Sequence, residues 1–183
     1  MLLLFLLIKI IGAFQVRDFE EGPFDDNKDH YNNVTIEVPV TQPQIISLTK
    51  FPFWSKITRQ FHTESQGFLV QIHSLDFQCD QLELFIQTET EHKMFCDDTQ
   101  VPIFVAFFKP KVTLFLAKRK VSGRDIIKEK VGFNLTISAF DSECEQYENV
   151  KQCGDFCIHQ SVTCPNCLKE SGHCEITGKK RGF

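Results

Sequence analysis

Aromatic residues with a polar handle are scarce: the 183-residue sequence holds one Trp and two Tyr against 19 Phe. Rings of that kind can fill a core without needing a buried hydrogen-bond partner. Charge of either sign is not in large excess, with 20 Lys and Arg, 24 Asp and Glu and a formal net charge of -4. No basic stripe runs along the chain, which removes nucleic acid from the expected partners. Catalytic motifs are also missing. There is no His-Glu-x-x-His, no Gly-x-Ser-x-Gly and no glycine-rich phosphate loop ahead of a helix. His62, His73 and His92 are scattered and read as surface or hydrogen-bonded histidines rather than general bases. The expectation is therefore no enzyme, no catalytic residues and no cofactor. Internal repeats and long amphipathic helical patterns are absent too.

After the first residues, no segment has the roughly 18 to 20 consecutive apolar residues that a membrane-spanning helix needs. Membrane association is expected only indirectly, through a receptor. The first 14 residues, Met1 to Phe14, are an apolar run interrupted by Lys9 and read as a secretory signal, with an uncleaved anchor as the alternative. Two further features point along the same route. Eight cysteines, an even number, suit a disulfide framework in an oxidising compartment. Asn33-Val34-Thr35 and Asn134-Leu135-Thr136 are glycosylation acceptor patterns. Secretion is the expected localisation.

Residues 15–32 are acidic and read as a solvated linker. From there to Phe140 a period of two dominates. Val34, Ile36, Val38 and Val40 alternate with polar residues; Leu82, Leu84 and Ile86 form a second row; Val112, Leu114 and Leu116 a third; Phe133, Leu135, Ile137 and Ala139 a fourth. Gly67 to Ile72 adds another strand, and the continuous apolar run Ile103 to Phe108 fits a strand buried on both faces. Turn signals fall at Gln42-Pro43, Phe51-Pro52, Lys109-Pro110 and Ser122-Gly123. The expected fold is all-β, an antiparallel β-sandwich with a small disulfide-rich module after it. The alternation places Asn134 on the outside of its strand, where a glycan is tolerated.

Several pieces of this segment, in order, resemble a CUB domain. They are Gly67-Phe68-Leu69-Val70-Gln71-Ile72 through Leu75-Asp76-Phe77, Cys79-Asp80-Gln81-Leu82-Glu83-Leu84-Phe85-Ile86, Phe95-Cys96, Lys111-Val112-Thr113-Leu114-Phe115-Leu116 and Gly132-Phe133-Asn134-Leu135-Thr136-Ile137-Ser138-Ala139. The resemblance implies a jelly-roll type sandwich over residues 33–141, a Cys79 to Cys96 bridge and a partner that is an extracellular protein or glycan. Many CUB domains open with an earlier disulfide, and no cysteine precedes Cys79 here. Calcium-binding members carry acidic residues where this chain has Leu82 and the Ala117-Lys118 pair, so no metal is expected.

Six cysteines crowd into residues 142–176, too short a stretch to hold itself together by core burial. Spacing leaves three uses of the sulfurs open. Cys153-x3-Cys157 with Cys164-x2-Cys167, near His159 and His173, has zinc-ligand spacing; Cys164-Pro165-Asn166-Cys167 has redox spacing; disulfides fit the expected compartment. Fifteen pairings are then possible. The Cys157-Ile158 step and the gap to Cys164 resemble a degenerate LDL-receptor class A module, and that resemblance implies Cys144 to Cys157, Cys153 to Cys167 and Cys164 to Cys174. The module's acidic calcium run is replaced by Leu168-Lys169-Glu170-Ser171-Gly172-His173, which leaves one carboxylate. Residues 177–183 form a basic tail.

The functional expectation is a non-catalytic adhesion or receptor-accessory protein. Its alternatives are a cysteine-rich secreted effector or protease inhibitor acting through the tail, and a piece of a larger CUB-containing receptor or protease. Phe51, Phe53 and Trp54 are candidate contact residues at a loop, and Asp97-Asp98 a candidate cation or ligand site.

Overall fold

A computed structural model describes residues 16–18, 35–48, 57–77, 79, 82–96, 101–118, 132–171 and 174. The expected signal, Asn33, the rings at Phe51, Phe53 and Trp54, the Asp97-Asp98 pair and the basic tail lie outside these residues. No helix among the described residues is long and apolar enough to cross a membrane.

Among the described residues ten strands build the body: β1 (Val16–Asp18), β2 (Thr35–Glu37), β3 (Gln44–Leu48), β4 (Ile57–His62), β5 (Gly67–Asp76), β6 (Leu82–Gln87), β7 (His92–Phe95), β8 (Ile103–Phe107), β9 (Lys111–Lys118) and β10 (Gly132–Phe140). They form two five-stranded sheets. Sheet I has the order β1-β3-β10-β5-β8 and sheet II the order β2-β4-β9-β6-β7. The fold is thus the expected all-β sandwich. Its pairing departs from a purely antiparallel one at two edges, where β1 runs parallel to β3 and β2 parallel to β4. The cause is the path of the chain. The first five strands alternate between sheets, so each returns to its own sheet after two crossings, running in its earlier direction. Strand β1 also falls inside the stretch expected to be a solvated linker.

Period-two patterning decides which side chains go in. Phe68, Val70 and Ile72 of β5, Leu135 and Ile137 of β10, and Val105 and Phe107 of β8 meet Phe61 of β4, Leu84 and Ile86 of β6, and Val112, Leu114 and Leu116 of β9 in one buried cluster. Fully burying each such side chain contributes about 1.5–3 kcal/mol, so this interior supplies most of the driving force. The Cys79–Cys96 disulfide closes a 17-residue separation between the end of β5 in sheet I and the end of β7 in sheet II. A loop near that length restricts the unfolded chain by about 3 kcal/mol.

The cysteine-rich segment is not a separate bead. Strands β11 (Val150–Cys153) and β12 (Phe156–His159) form a hairpin, followed by the short helix α1 (Asn166–Ser171). Gly154, with φ at +64°, takes the first turn position, and a Cβ there would meet Lys169 Cα at 2.9 Å. Hairpin and helix pack onto the outside of sheet I. Leu69 of β5, Ala106 of β8 and Phe140 of β10 share a buried cluster with Cys153, Ile158, Val162, Leu168 and Cys174. Phe140, Phe108 and Phe156 close the joint, with ring centroids 5.0 Å apart for Phe140–Phe156, 5.0 Å for Phe108–Phe140 and 5.6 Å for Phe108–Phe156. Backbone bonds tie it further: Asp141 N donates to Cys157 O at 3.2 Å and Cys157 N to Asp141 O at 2.7 Å. Tyr147 Oη donates to Asp141 Oδ2 at 2.8 Å. We refer to this segment as the cap.

Three disulfides staple the cap, and two differ from the pairing that the class A resemblance implied. The structure joins Cys144 to Cys157, Cys153 to Cys164 and Cys167 to Cys174. Bridges from Cys153 to Cys167 and from Cys164 to Cys174 are not formed. Strand alternation explains the outcome. Gln152 lies opposite Cys157 across the hairpin, so Cys153 points to the other face from Cys157. Consistent with this, Gln152 Oε1 lies 3.0 Å from Cys144 Sγ, on the Cys157 side. Cys153 is left facing the chain that leads into α1, where Cys164 is the first sulfur. All four sulfurs of the zinc-like spacing are in disulfides, and no described cysteine is free.

Gly67 begins β5 beneath the Phe140 ring, and a Cβ there would fall against the Phe107 carbonyl and 2.9 Å from the ring. Replacing Gly67 by Ala is expected to lower stability by about 1–3 kcal/mol, read as an earlier denaturant midpoint with unchanged slope. Phe140→Ala, which empties the centre of the ring cluster, is expected to cost about 3–5 kcal/mol in the same measurement.

Candidate functional site

The two outer sheet faces have different fates. On sheet I the outward positions Leu69, Ala106 and Phe140 lie under the cap. Between them the Ser138 hydroxyl donates to Leu69 O at 3.3 Å and is fully buried. On sheet II no described element covers the outward positions.

Register assembles that second face from four strands. Thr58 of β4 stands opposite Phe115 of β9, Phe115 opposite Phe85 of β6, and Phe85 opposite Met94 of β7. This row crosses the middle of the sheet. Phe85 and Phe115 are half-buried and meet edge to face, with centroids 6.1 Å apart and planes at 65°. Met94 is 49% exposed, the most exposed large apolar side chain among the described residues. On one side lies a polar row, Gln60, Thr113, Gln87 and His92; on the other, Ala117 faces Glu83. His62 Nδ1 contacts Glu37 Oε1 at 3.1 Å at the far corner. An apolar centre with a polar rim is the ordinary layout of a recognition surface, and Met adapts to varied partner shapes.

The sequence reading did not single out this face. Its signal was present as apolar residues on the polar beat of the alternation: Phe85 between Glu83 and Gln87, and Phe115 between Thr113 and Ala117. The candidate contacts Phe51, Phe53 and Trp54 lie outside the described residues, as does Asp97-Asp98. Leu82, at the first calcium-ligand position of the family pattern, is fully buried in the core, and Asp76 is exposed at the end of β5. No group of three or more His, Cys, Asp or Glu among the described residues is arranged to hold a metal ion. Asn134 is exposed on the outside of β10.

The histidines sit apart from one another in the fold. His92 is exposed on β7, and His73 Nε2 lies 2.8 Å from Thr136 Oγ1 on sheet I. His159, in the cap, is 5% exposed, with Nδ1 2.6 Å from Ser161 Oγ. Burial, and secondarily the Lys151 charge, push its pKa below the ordinary 6.5. Burial lowers His73 in the same direction.

No family model matches the chain, and no curated protein matches it. Among solved structures it is similar to the CUB2 domain of MASP-1 bound to Ca2+, at 14% identity and a TM-score of 0.44 over 56% of this chain and 97% of that one. It is also similar to the CUB1-EGF-CUB2 domains of rat MASP-1, at 16% identity and a TM-score of 0.45 over 65% of this chain and 49% of that one. Both contain CUB domains.

A lowered His159 pKa has a definite sign. As pH falls below 6.5 the unfolded chain takes up a proton that the folded cap resists, so stability declines on acidification. His159→Gln is expected to flatten the fall of the unfolding midpoint with pH, whatever it does to the midpoint at neutral pH. Thermal unfolding followed across a pH series, comparing slopes, checks this.

Proposed function

We propose that this chain is an extracellular, non-catalytic binding protein that recognises a protein or glycan partner through its sandwich. One observation carries the reading: the cap buries Leu69, Ala106 and Phe140 of sheet I, whereas on sheet II Met94 is 49% exposed and stands opposite the half-buried Phe85. A sheet face that presents a Met and a half-buried ring beside Thr and Gln offers contact area and hydrogen bonding together, without any group poised for bond-making. The four disulfides support an oxidising compartment, where such bridges persist. In this reading nucleic acid is not a partner, and a membrane is reached only through a receptor.

The cap is a poor candidate for the active head of an effector or inhibitor. Its apolar side and Cys153 face the sandwich, and its exposed side carries charges, Asp155 in the hairpin turn and Lys169 and Glu170 on the short helix α1. Its evident work is to cover Leu69 and Phe140.

The test is a binding comparison with the full chain against a panel of extracellular proteins and a glycan array. Phe85→Ser with Met94→Ser is expected to weaken the strongest interaction at least about tenfold, which is about 1.4 kcal/mol, with the fold unchanged by circular dichroism. Exchanging the cap charges, Lys169→Glu with Glu170→Lys, is expected to leave binding as it was. The opposite pattern would hand the function to the cap and overturn this assignment.

A further inference from the structure

Asn134 is the single residue of its acceptor triad that the folded protein presents to solvent. Leu135 is fully buried in the core and Thr136 is 7% exposed. The Thr136 hydroxyl lies 2.8 Å from His73 Nε2. The triad sits within β10, which is paired on one side with β3 and on the other with β5, so its backbone is committed to two ladders. A transferase that must seize the acceptor asparagine and the hydroxyl two residues on has no accessible segment to grasp once these strands are joined.

The Asn134 side chain, in contrast, has room. Its cross-strand partners are Ser47 on β3 and Ser74 on β5. Along β10 its neighbours on the same face are Gly132 and Thr136. These four residues are small, and Asn134 and Ser74 are exposed. The register shift between Asn134 and Leu135 leaves His73 as the unpaired residue of β5, beside Thr136. This end of sheet I is also the one the cap does not reach: the cap lies over Ser138 and Phe140, and four residues along a strand span about 13 Å.

We propose that Asn134 carries an N-linked glycan, attached before β10 enters the sheet, and that this glycan shields the part of the outer face of sheet I left bare by the cap. The inference rests on the extracellular reading, because the donor belongs to the secretory route. In the transfer, the Asn134 amide nitrogen forms a bond to the anomeric carbon of an oligosaccharide carried on a lipid diphosphate. The anomeric C–O bond breaks, the lipid diphosphate leaves, and the amide proton passes to the diphosphate or solvent; nothing is oxidised or reduced.

Two experiments with the full chain decide the matter. In a secreting eukaryotic host, enzymatic deglycosylation and peptide mapping are expected to find sugar at Asn134, lost in Asn134→Gln and retained in Thr136→Ser; an Asn33→Gln background keeps the other acceptor silent. With microsomal membranes, reduced and unfolded chain is expected to be modified at Asn134, whereas folded, disulfide-intact chain made without sugar is not. A secreted, disulfide-bonded protein bare at Asn134 overturns this proposal alone. Folded chain modified as readily as unfolded chain overturns the order of events. A chain kept in the cytosol with reduced cysteines sinks the extracellular reading together with the glycan.

Discussion

Burial of the outward apolar beats of sheet I is the constraint on which the rest of the molecule depends. A sandwich needs only its inward positions to be apolar, yet β5, β8 and β10 also point Leu69, Ala106 and Phe140 outward. Left bare, these would form an apolar patch on a broad sheet face, a surface prone to association. A segment of some thirty residues is too small to fold by core burial alone, so the cap and sheet I solve one another's problem. The sheet lends the cap an apolar floor, and three disulfides hold the cap in the one shape that fits it.

That mutual dependence explains the asymmetry of the two faces. Under the cap the outward residues are Leu69, Ala106 and Phe140, whereas on sheet II the apolar row is flanked by the polar row Gln60, Thr113, Gln87 and His92. Gln60, Thr113 and Gln87 satisfy water on that side, and Phe85 and Phe115 shelter each other edge to face. The two outer faces of one sandwich thus differ in composition, the cap lying on the first.

Much of this was legible in the residues. Strict alternation located β6, β9 and β10 and the side each turns inward. The unbroken run Ile103 to Phe108 read as a strand covered on both faces; the strand ends at Phe107, with the core on one side and, at Ala106, the cap on the other, and Phe108 beyond it is 37% exposed. Three things were not legible. The parallel edges arise from chain crossings, which local pattern does not record. The cap's connectivity depends on the facing of Cys153 and Cys157 in a hairpin whose register only the fold reveals. The Phe85 row of sheet II was not legible because Leu69 and Phe85 are similar apolar exceptions to the alternation, and sequence spacing treats them alike although the cap meets Leu69.

The Asp141–Cys157 pairing carries a mechanical consequence. The chain leaves β10 and is at once clamped to β12 by two backbone bonds and the adjacent Cys144–Cys157 bridge. A pull transmitted from the cap into the sandwich would cross that covalent shortcut, hiding the 13-residue separation between the two sulfurs, roughly 45 Å of contour, from the load. The joint would behave as a short, stiff coupling rather than an elastic tether, keeping the sandwich at a fixed orientation to the cap.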